Sequence, residues 1–121
     1  HARGHWGRFP DIPQAYVSSW YDPYAQSAIE NATGLSALKR GPIRLVLGPW
    51  THGQRSVSHS GDVDFGPDAP LDGVLADDYV ALRRAWFDRH LRQRKGPDPL
   101  GVPVTYFMMG GGSGRKNRDG R

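Results

Sequence analysis

Two side chains that could act together in proton transfer follow two apolar segments of this sequence. Asp22 ends the segment IPQAYVSSWYD, and His52 lies in RLVLGPWTHG, 30 residues later. A carboxylate that accepts the Nδ1–H of a histidine fixes the tautomer of the ring and stabilises the imidazolium that forms when Nε2 takes a proton. Such a pair is the orienting part of the Ser-His-Asp arrangement that activates a serine. The residue types therefore predict a hydrolytic site, if the fold brings them together.

Each of the two residues also has a simpler explanation. Asp22 precedes Pro23, and an aspartate before a proline is a common helix start, so its carboxylate could serve as an N-cap. His52 follows a Gly-Pro-Trp-Thr sequence and could be an ordinary loop histidine. These alternatives stay open at the level of residue type and spacing.

Other histidines and acidic residues offer weaker candidates. His52, His59, Asp62 and Asp64 could be grouped as metal ligands, but their spacing matches no common zinc or oxygen-ligand pattern. We therefore predict no metal and no cofactor. His90 falls on the apolar face of a predicted helix, and we interpret it as a packing or solvated residue.

Three apolar segments predict β-strands. Residues 12–20 combine β-branched and aromatic side chains between turn signals, residues 43–47 are mostly apolar, and residues 102–109 read VPVTYFMM. Short apolar runs of this kind are typical of strands buried on both faces of a parallel sheet. We expect Gly48-Pro49 to end the second strand and residues 51–72, rich in Gly, Ser, Asp and Pro, to form a long loop.

Two segments between these strands have helical periodicity. The first is expected to begin with Asp22 as the N-cap and Pro23 at the first helical position, and to be weakened or ended by Gly34. The second covers about residues 72–94, with acidic residues early and basic residues late, as the helix dipole favours. Its apolar face consists of Leu75, Tyr79, Leu82, Trp86 and His90 or Leu91. The alternation predicts an α/β fold in which crossover helices connect the strands of a parallel sheet.

Composition excludes several classes of function. The 121 residues include no cysteine, which excludes thiol nucleophiles, disulfides and cysteine metal sites. No apolar run approaches the about 20 residues of a membrane-spanning helix. The net charge of +4 comes without basic residues interleaved with exposed aromatics, so we expect neither a nucleic-acid nor a membrane partner. The compartment stays open, with the cytoplasm favoured.

The sequence also has features expected of part of a longer protein. Two core strands do not make a stable parallel sheet, and the last predicted strand follows a linker-like segment without later partners. No G-x-S-x-G nucleophile motif is present, because Ser113 in GGSGR lacks the final glycine. α/β-Hydrolases carry the triad in the order Ser, Asp, His, so we expect the serine upstream of this sequence.

Five motifs in order resemble the C-terminal half of the catalytic domain of CocE/NonD hydrolases. They are SSWYDPY at 18–24, GPWTHG at 48–53, GDVDFGPDA at 61–69, RRAWFDRHL at 83–91 and VPVTYFMMGGG at 102–112. This family includes cocaine esterase, glutaryl-cephalosporin acylases and the related X-prolyl dipeptidyl aminopeptidases. The resemblance extends from about Phe9 to Arg121, with Ser19 at a position where the family usually has glycine.

This resemblance implies a partial α/β-hydrolase fold in residues 1–96, and a linker with the first strand of a β jelly-roll domain in residues 97–121. It implies that Asp22 is the triad aspartate and His52 the general base, with the serine and an oxyanion-hole tyrosine upstream. The implied substrates are small-molecule esters or amides, or short peptides cleaved as X-Pro dipeptides.

Two further expectations concern partners. The isolated chain should be inactive as a serine hydrolase, and its partners should be the remainder of the hydrolase chain and a second copy in a homo-oligomer. The alternative is a non-catalytic binding or assembly piece, whose exposed sheet edge and apolar faces pair with another chain.

Overall fold

The computed structural model describes residues 2–38 and 41–110, together with Arg115 and Arg118. A 3-10 helix at Ala2–Arg8 precedes β1 (Gln14–Tyr21), α1 (Ala25–Ala37), β2 (Ile43–Thr51), β3 (His59–Ser60), β4 (Val63–Asp64), α2 (Tyr79–His90) and β5 (Val104–Tyr106). One parallel sheet has the order β1-β2-β5, and β3 and β4 form an antiparallel hairpin. The predicted α/β class with a parallel sheet is confirmed.

The side chains of β2 alternate between two apolar clusters, one on each face of the sheet. One cluster joins β2 to α1 and consists of Ile43, Leu45, Leu47, Ala32 and Leu35. The other joins β2 to α2 and consists of Val46, Trp50, Leu71, Leu82, Trp86 and Leu100. This alternation follows from the two-residue period of a strand, and it places β2 between the two helices in a three-layer arrangement.

β2 continues past Gly48-Pro49 to Thr51, so the expectation that this pair ends the strand is wrong. Ser19 faces Gly48 across the ladder, whereas Tyr21 faces Thr51, so β2 carries one extra residue over this stretch. Such a bulge interrupts the hydrogen-bond ladder, and it therefore tolerates a proline, which has no N–H to donate, inside a central strand.

Gly48 lies beneath the ring of Trp50. A Cβ at position 48 would lie 2.3 Å from Cε2 of Trp50. The Trp50 side chain is only 3% exposed, and its Nε1–H donates to the carbonyl oxygen of Ala69 at 2.6 Å. The ring cannot move aside without losing both buried area and this hydrogen bond, so position 48 requires glycine.

α1 begins at Ala25, two residues after the predicted start at Pro23, and it passes through Gly34, where the sequence predicted a weakening or the end of the helix. A Cβ at position 34 would lie 2.2 Å from the ring of Trp6, and the Nε1–H of Trp6 donates to Asn31 Oδ1 at 2.8 Å. The glycine therefore serves the packing of the 3-10 helix on α1, and the helix continues to Ala37.

α2 is shorter than the predicted segment 72–94. It begins at Tyr79 because Asp78 caps it, with the Asp78 carboxylate accepting the N–H of Ala81 at 2.7 Å. It ends at His90, and Gln93 follows with a φ of 52°, a left-handed conformation that a helix does not continue through.

Two other segments also differ from the expectation. The predicted loop 51–72 contains the hairpin of β3 and β4, held to β2 by the Ser60 hydroxyl, which donates to the Pro49 carbonyl at 2.6 Å. β5 covers only three residues of the predicted strand 102–109 and pairs in parallel with an earlier strand, β2. Its assignment to a jelly-roll domain stays a prediction. Residues 111–114, 116–117 and 119–121, including Ser113, lie outside the described residues.

Substituting Gly48→Ala should destabilise the protein by about 1–3 kcal/mol, the usual cost of inserting a methyl group into a packed site. The measurement is the free energy of unfolding from urea titrations. Gly4→Ala is the matched control, because a Cβ at position 4 meets nothing within 4 Å. Equal stability of the two variants would contradict the proposed role of the Trp50 ring.

Candidate active site

Asp22 and His52 meet at the edge of the sheet where β1 and β2 end. The two strands are adjacent and parallel, so their carboxyl ends lie together, which is where open α/β sheets bind ligands. Asp22 directly follows β1 and His52 directly follows β2. Nδ1 of His52 lies 3.0 Å from Oδ2 of Asp22. The fold therefore brings Asp22 and His52 together, which is the condition that the sequence-based prediction of a site required.

The two side chains differ sharply in their exposure to solvent. Only 9% of the Asp22 side chain is exposed, compared with 62% of the His52 side chain. The carboxylate therefore holds the inner nitrogen of the ring, and the outer part of the ring remains accessible. A histidine that is oriented by a hydrogen bond at one ring nitrogen, with the other side of its ring accessible to solvent, can take a proton from an incoming group.

Both oxygens of the Asp22 carboxylate have a partner. Oδ2 contacts His52, and Oδ1 accepts the backbone N–H of Tyr24 at 2.8 Å. A side chain that accepts from the amide two residues later forms an Asx turn. The N-cap position of α1 belongs to Tyr24, so the interpretation of Asp22 as the helix N-cap is wrong.

Burial raises the pKa of the Asp22 carboxyl, but its contacts more than offset this effect. The Tyr24 N–H and His52 both lower the pKa. The buried Ser18 hydroxyl lowers it further, although its position does not give a hydrogen bond of regular geometry. The resulting pKa lies below the ordinary value of aspartate, so Asp22 is ionised at neutral pH.

The ionised carboxylate decides which nitrogen of His52 carries the proton. A carboxylate can only accept hydrogen bonds. Nδ1 of a neutral His52 must therefore be the donor, and Nε2 carries the lone pair. This is the tautomer that a general base needs.

A tight turn after β2 presents His52. The N–H of Gln54 donates to the carbonyl of Thr51 at 3.2 Å, and the Thr51 hydroxyl donates to Gln54 Oε1 at 2.9 Å. Gly53 has a φ of 84°, in the left-handed region that glycine adopts without strain. The glycine after the histidine therefore lets the chain reverse directly beyond the ring.

Tyr24 belongs to the site and was missed from the sequence. Its ring lies 5.3 Å from the His52 ring, centroid to centroid, at an interplanar angle of 69°. The spacing Asp22-Pro23-Tyr24 is a recognisable Asx-turn signal, which could have located the amide contact. No sequence signal indicated the ring contact.

The other candidate residues do not form a second site. His59 and Asp64 face each other in the β3–β4 hairpin. Within the described part of the chain, no group of three or more His, Asp or Glu side chains could hold a metal ion. His90 packs against Trp86 with ring centroids 4.1 Å apart, and burial lowers its pKa.

Asp22→Asn should lower the free energy of unfolding by about 1 kcal/mol at neutral pH, because it removes the charged partner of two hydrogen bonds. Since the pKa of Asp22 is lower in the folded state, its contribution is present above the ordinary aspartate pKa. The contribution is lost as the pH falls through the lowered value. The gap between wild type and variant, followed by urea unfolding across pH, should therefore close in acid. Exposed Asp62→Asn is the control, and a gap independent of pH would refute this account.

Comparisons with known proteins do not assign the chain to a family. No protein-family model matches the chain, and a search of curated proteins gives no match. Among the described residues, no helix is long and apolar enough to cross a membrane.

Proposed function

We propose that this chain supplies the aspartate and the histidine of a Ser-His-Asp triad in a serine hydrolase with an α/β-hydrolase fold. The observation that carries the proposal is the 3.0 Å contact between Asp22 Oδ2 and His52 Nδ1 at the carboxyl ends of adjacent parallel strands. The buried, ionised carboxylate and the exposed ring agree with the roles of orienting residue and base.

The chemistry follows from the tautomer of His52. Nε2 takes the proton of a serine hydroxyl as its oxygen attacks the acyl carbonyl, and the imidazolium that forms is stabilised by Asp22. Nε2 then gives the proton to the leaving alcohol or amine. A water molecule repeats the sequence to release the acyl group and restore the serine.

The serine in this proposal lies outside the described residues. No serine hydroxyl of the described part is hydrogen-bonded to His52. Ser18 and Ser19 are buried inside β1, where they cannot meet a substrate. We infer that the chain alone is inactive and that the remainder of a hydrolase chain supplies the nucleophile.

The five sequence motifs favour the CocE/NonD type, with X-Pro dipeptidyl peptidases as the related alternative. On this proposal residues 1–96 belong to the hydrolase domain, and residues 97–121 lead into a jelly-roll domain. The substrate is then a small-molecule ester or amide, or a short peptide.

The proposal predicts different behaviour of the isolated chain and of the intact enzyme. The 121-residue chain should neither react with a fluorophosphonate probe nor hydrolyse 4-nitrophenyl acetate above the rate of its His52→Ala variant. The native protein, checked by intact mass and by its reading frame, should be longer and contain a G-x-S-x-G serine that the probe labels. There, Asp22→Asn should lower kcat about ten-thousand-fold. An esterase rate of the isolated chain that His52→Ala removes would refute the upstream serine.

Among the described residues β1 has one strand neighbour and forms an edge of the sheet, which favours a second candidate function, a binding or assembly piece. Beside this edge lies a mainly apolar groove of about 350 Å³ between β1 and α2, lined by residues 13–17, Tyr79, Leu82, Arg83, Trp86, Phe87 and Leu100. Unpaired strand edges beside apolar grooves accept a further strand. In this case the chain would pair with a second copy of itself or with another polypeptide.

Sedimentation velocity over a range of concentrations tests this candidate. If two copies pair through the β1 edge, Ala15→Lys in the groove should weaken the dimer tenfold or more, because a charge at the edge opposes strand addition. Ala85→Lys on the exposed side of α2 is the control. A chain that stays monomeric at all concentrations would exclude self-pairing.

A further inference from the structure

We infer that Tyr24 is a positioning residue that holds the imidazole of His52 against Asp22. The structural part of this inference concerns the orientation of the ring, and its catalytic meaning rests on the function proposed above. Tyr24 acts through His52 and need not touch the reacting atoms.

Tyr24 contacts both members of the pair. Its backbone N–H donates to Asp22 Oδ1 at 2.8 Å, and its ring lies nearly perpendicular to the His52 ring at 5.3 Å. The amide contact fixes the carboxylate, while the ring contact restricts the imidazole. The two contacts together fix the relative orientation of the imidazole and the carboxylate, and thereby the geometry of the hydrogen bond between Nδ1 and Oδ2.

The backbone of Tyr24 is itself fixed. It is the N-cap residue of α1, its carbonyl accepts the N–H of Ala28 at 3.0 Å, and the next amide, that of Ala25, donates to the carbonyl of Asp22 at 3.0 Å. The ring is thus attached to the first turn of a helix rather than to a mobile loop.

Burial does not explain where the Tyr24 side chain lies. Tyr24 is 61% exposed as a whole residue and belongs to neither apolar cluster of the core. The His52 side chain is 62% exposed, so solvent alone would leave it free to adopt several rotamers. The ring of Tyr24 occupies one side of the His52 ring and excludes the rotamers of His52 that would point there. This gives the exposed Tyr24 a specific role.

The contact uses the aromatic ring and not the hydroxyl. Near-perpendicular aromatic pairs are stabilised by the complementary charge of ring faces and edges. The phenol oxygen contributes nothing to this interaction, so phenylalanine should replace tyrosine fully. Leucine retains bulk without the ring charge distribution and should replace it poorly.

The test uses the 121-residue chain and needs no catalysis. NMR of chain labelled with 15N histidine reports the proton on His52 Nδ1 and its exchange with water. In the wild type and in Tyr24→Phe this proton should be observed and protected. In Tyr24→Ala its protection should fall about two- to twelve-fold, the range expected for loss of one aromatic pair. Tyr106→Ala is the control, because Tyr106 is similarly exposed, at 53%, on β5.

The outcomes separate this inference from the proposed function. Unchanged protection in Tyr24→Ala would overturn the role of Tyr24 and leave the Asp22–His52 pair intact. Loss of protection in Tyr24→Phe as well would overturn the assignment to the ring. Absence of the protected proton in the wild type would overturn the pair itself, and with it the proposed function. If Tyr24→Ala fails to fold, Tyr24→Leu decides, with reduced protection supporting the inference.

Discussion

Parallel pairing of β1 with β2 is the interaction on which the rest of the site depends. Because the strands run in the same direction and are adjacent, the residue after each strand arrives at the same edge of the sheet. Asp22 and His52 occupy these two positions and need no further element to bring them together. A slip of one residue in the register would turn every side chain of a strand to the opposite face. The alternation of side chains in β2 therefore fixes the register, and the register in turn fixes the positions of Asp22 and His52.

The bulge near Pro49 adjusts this pairing to the demands of the core. Trp50 must lie on the face of the sheet that packs against α2 in order to reach Leu71, and Gly48 must leave space for its ring. Pro49 has no N–H to donate, and the irregular pairing at the bulge does not require a ladder hydrogen bond at this position. Most of the segment GPWTHG therefore forms the end of the strand and the turn, and His52 is the functional side chain that this segment exposes to solvent.

The sequence predicted the α/β class and the parallel sheet, because both follow from the order of apolar segments. It placed Asp22 and His52 after two strands, but the adjacency of those strands, which brings the two side chains together, comes from the structure. Details set by distant partners could not be predicted. Gly34 stays inside α1 because of the Trp6 ring, and Gly48-Pro49 stays inside β2 because of pairing with β1 and the Trp50 ring. Periodicity alone likewise could not locate the start of α2. The hydrolase fold and the jelly-roll strand stay predictions from the motifs.

The electrostatics of Asp22 limit the chemistry that the pair can perform. A carboxyl group with 9% of its side chain exposed would tend towards its neutral form if burial acted alone. The backbone amide of Tyr24 and the ring of His52 reverse this tendency and hold the pKa below the ordinary value. Asp22 is therefore a poor proton donor and a strong hydrogen-bond acceptor. With Nδ1 of His52 held by this acceptor, Nε2 is the ring nitrogen left to exchange a proton with a third group, which is the role that the proposed function gives it.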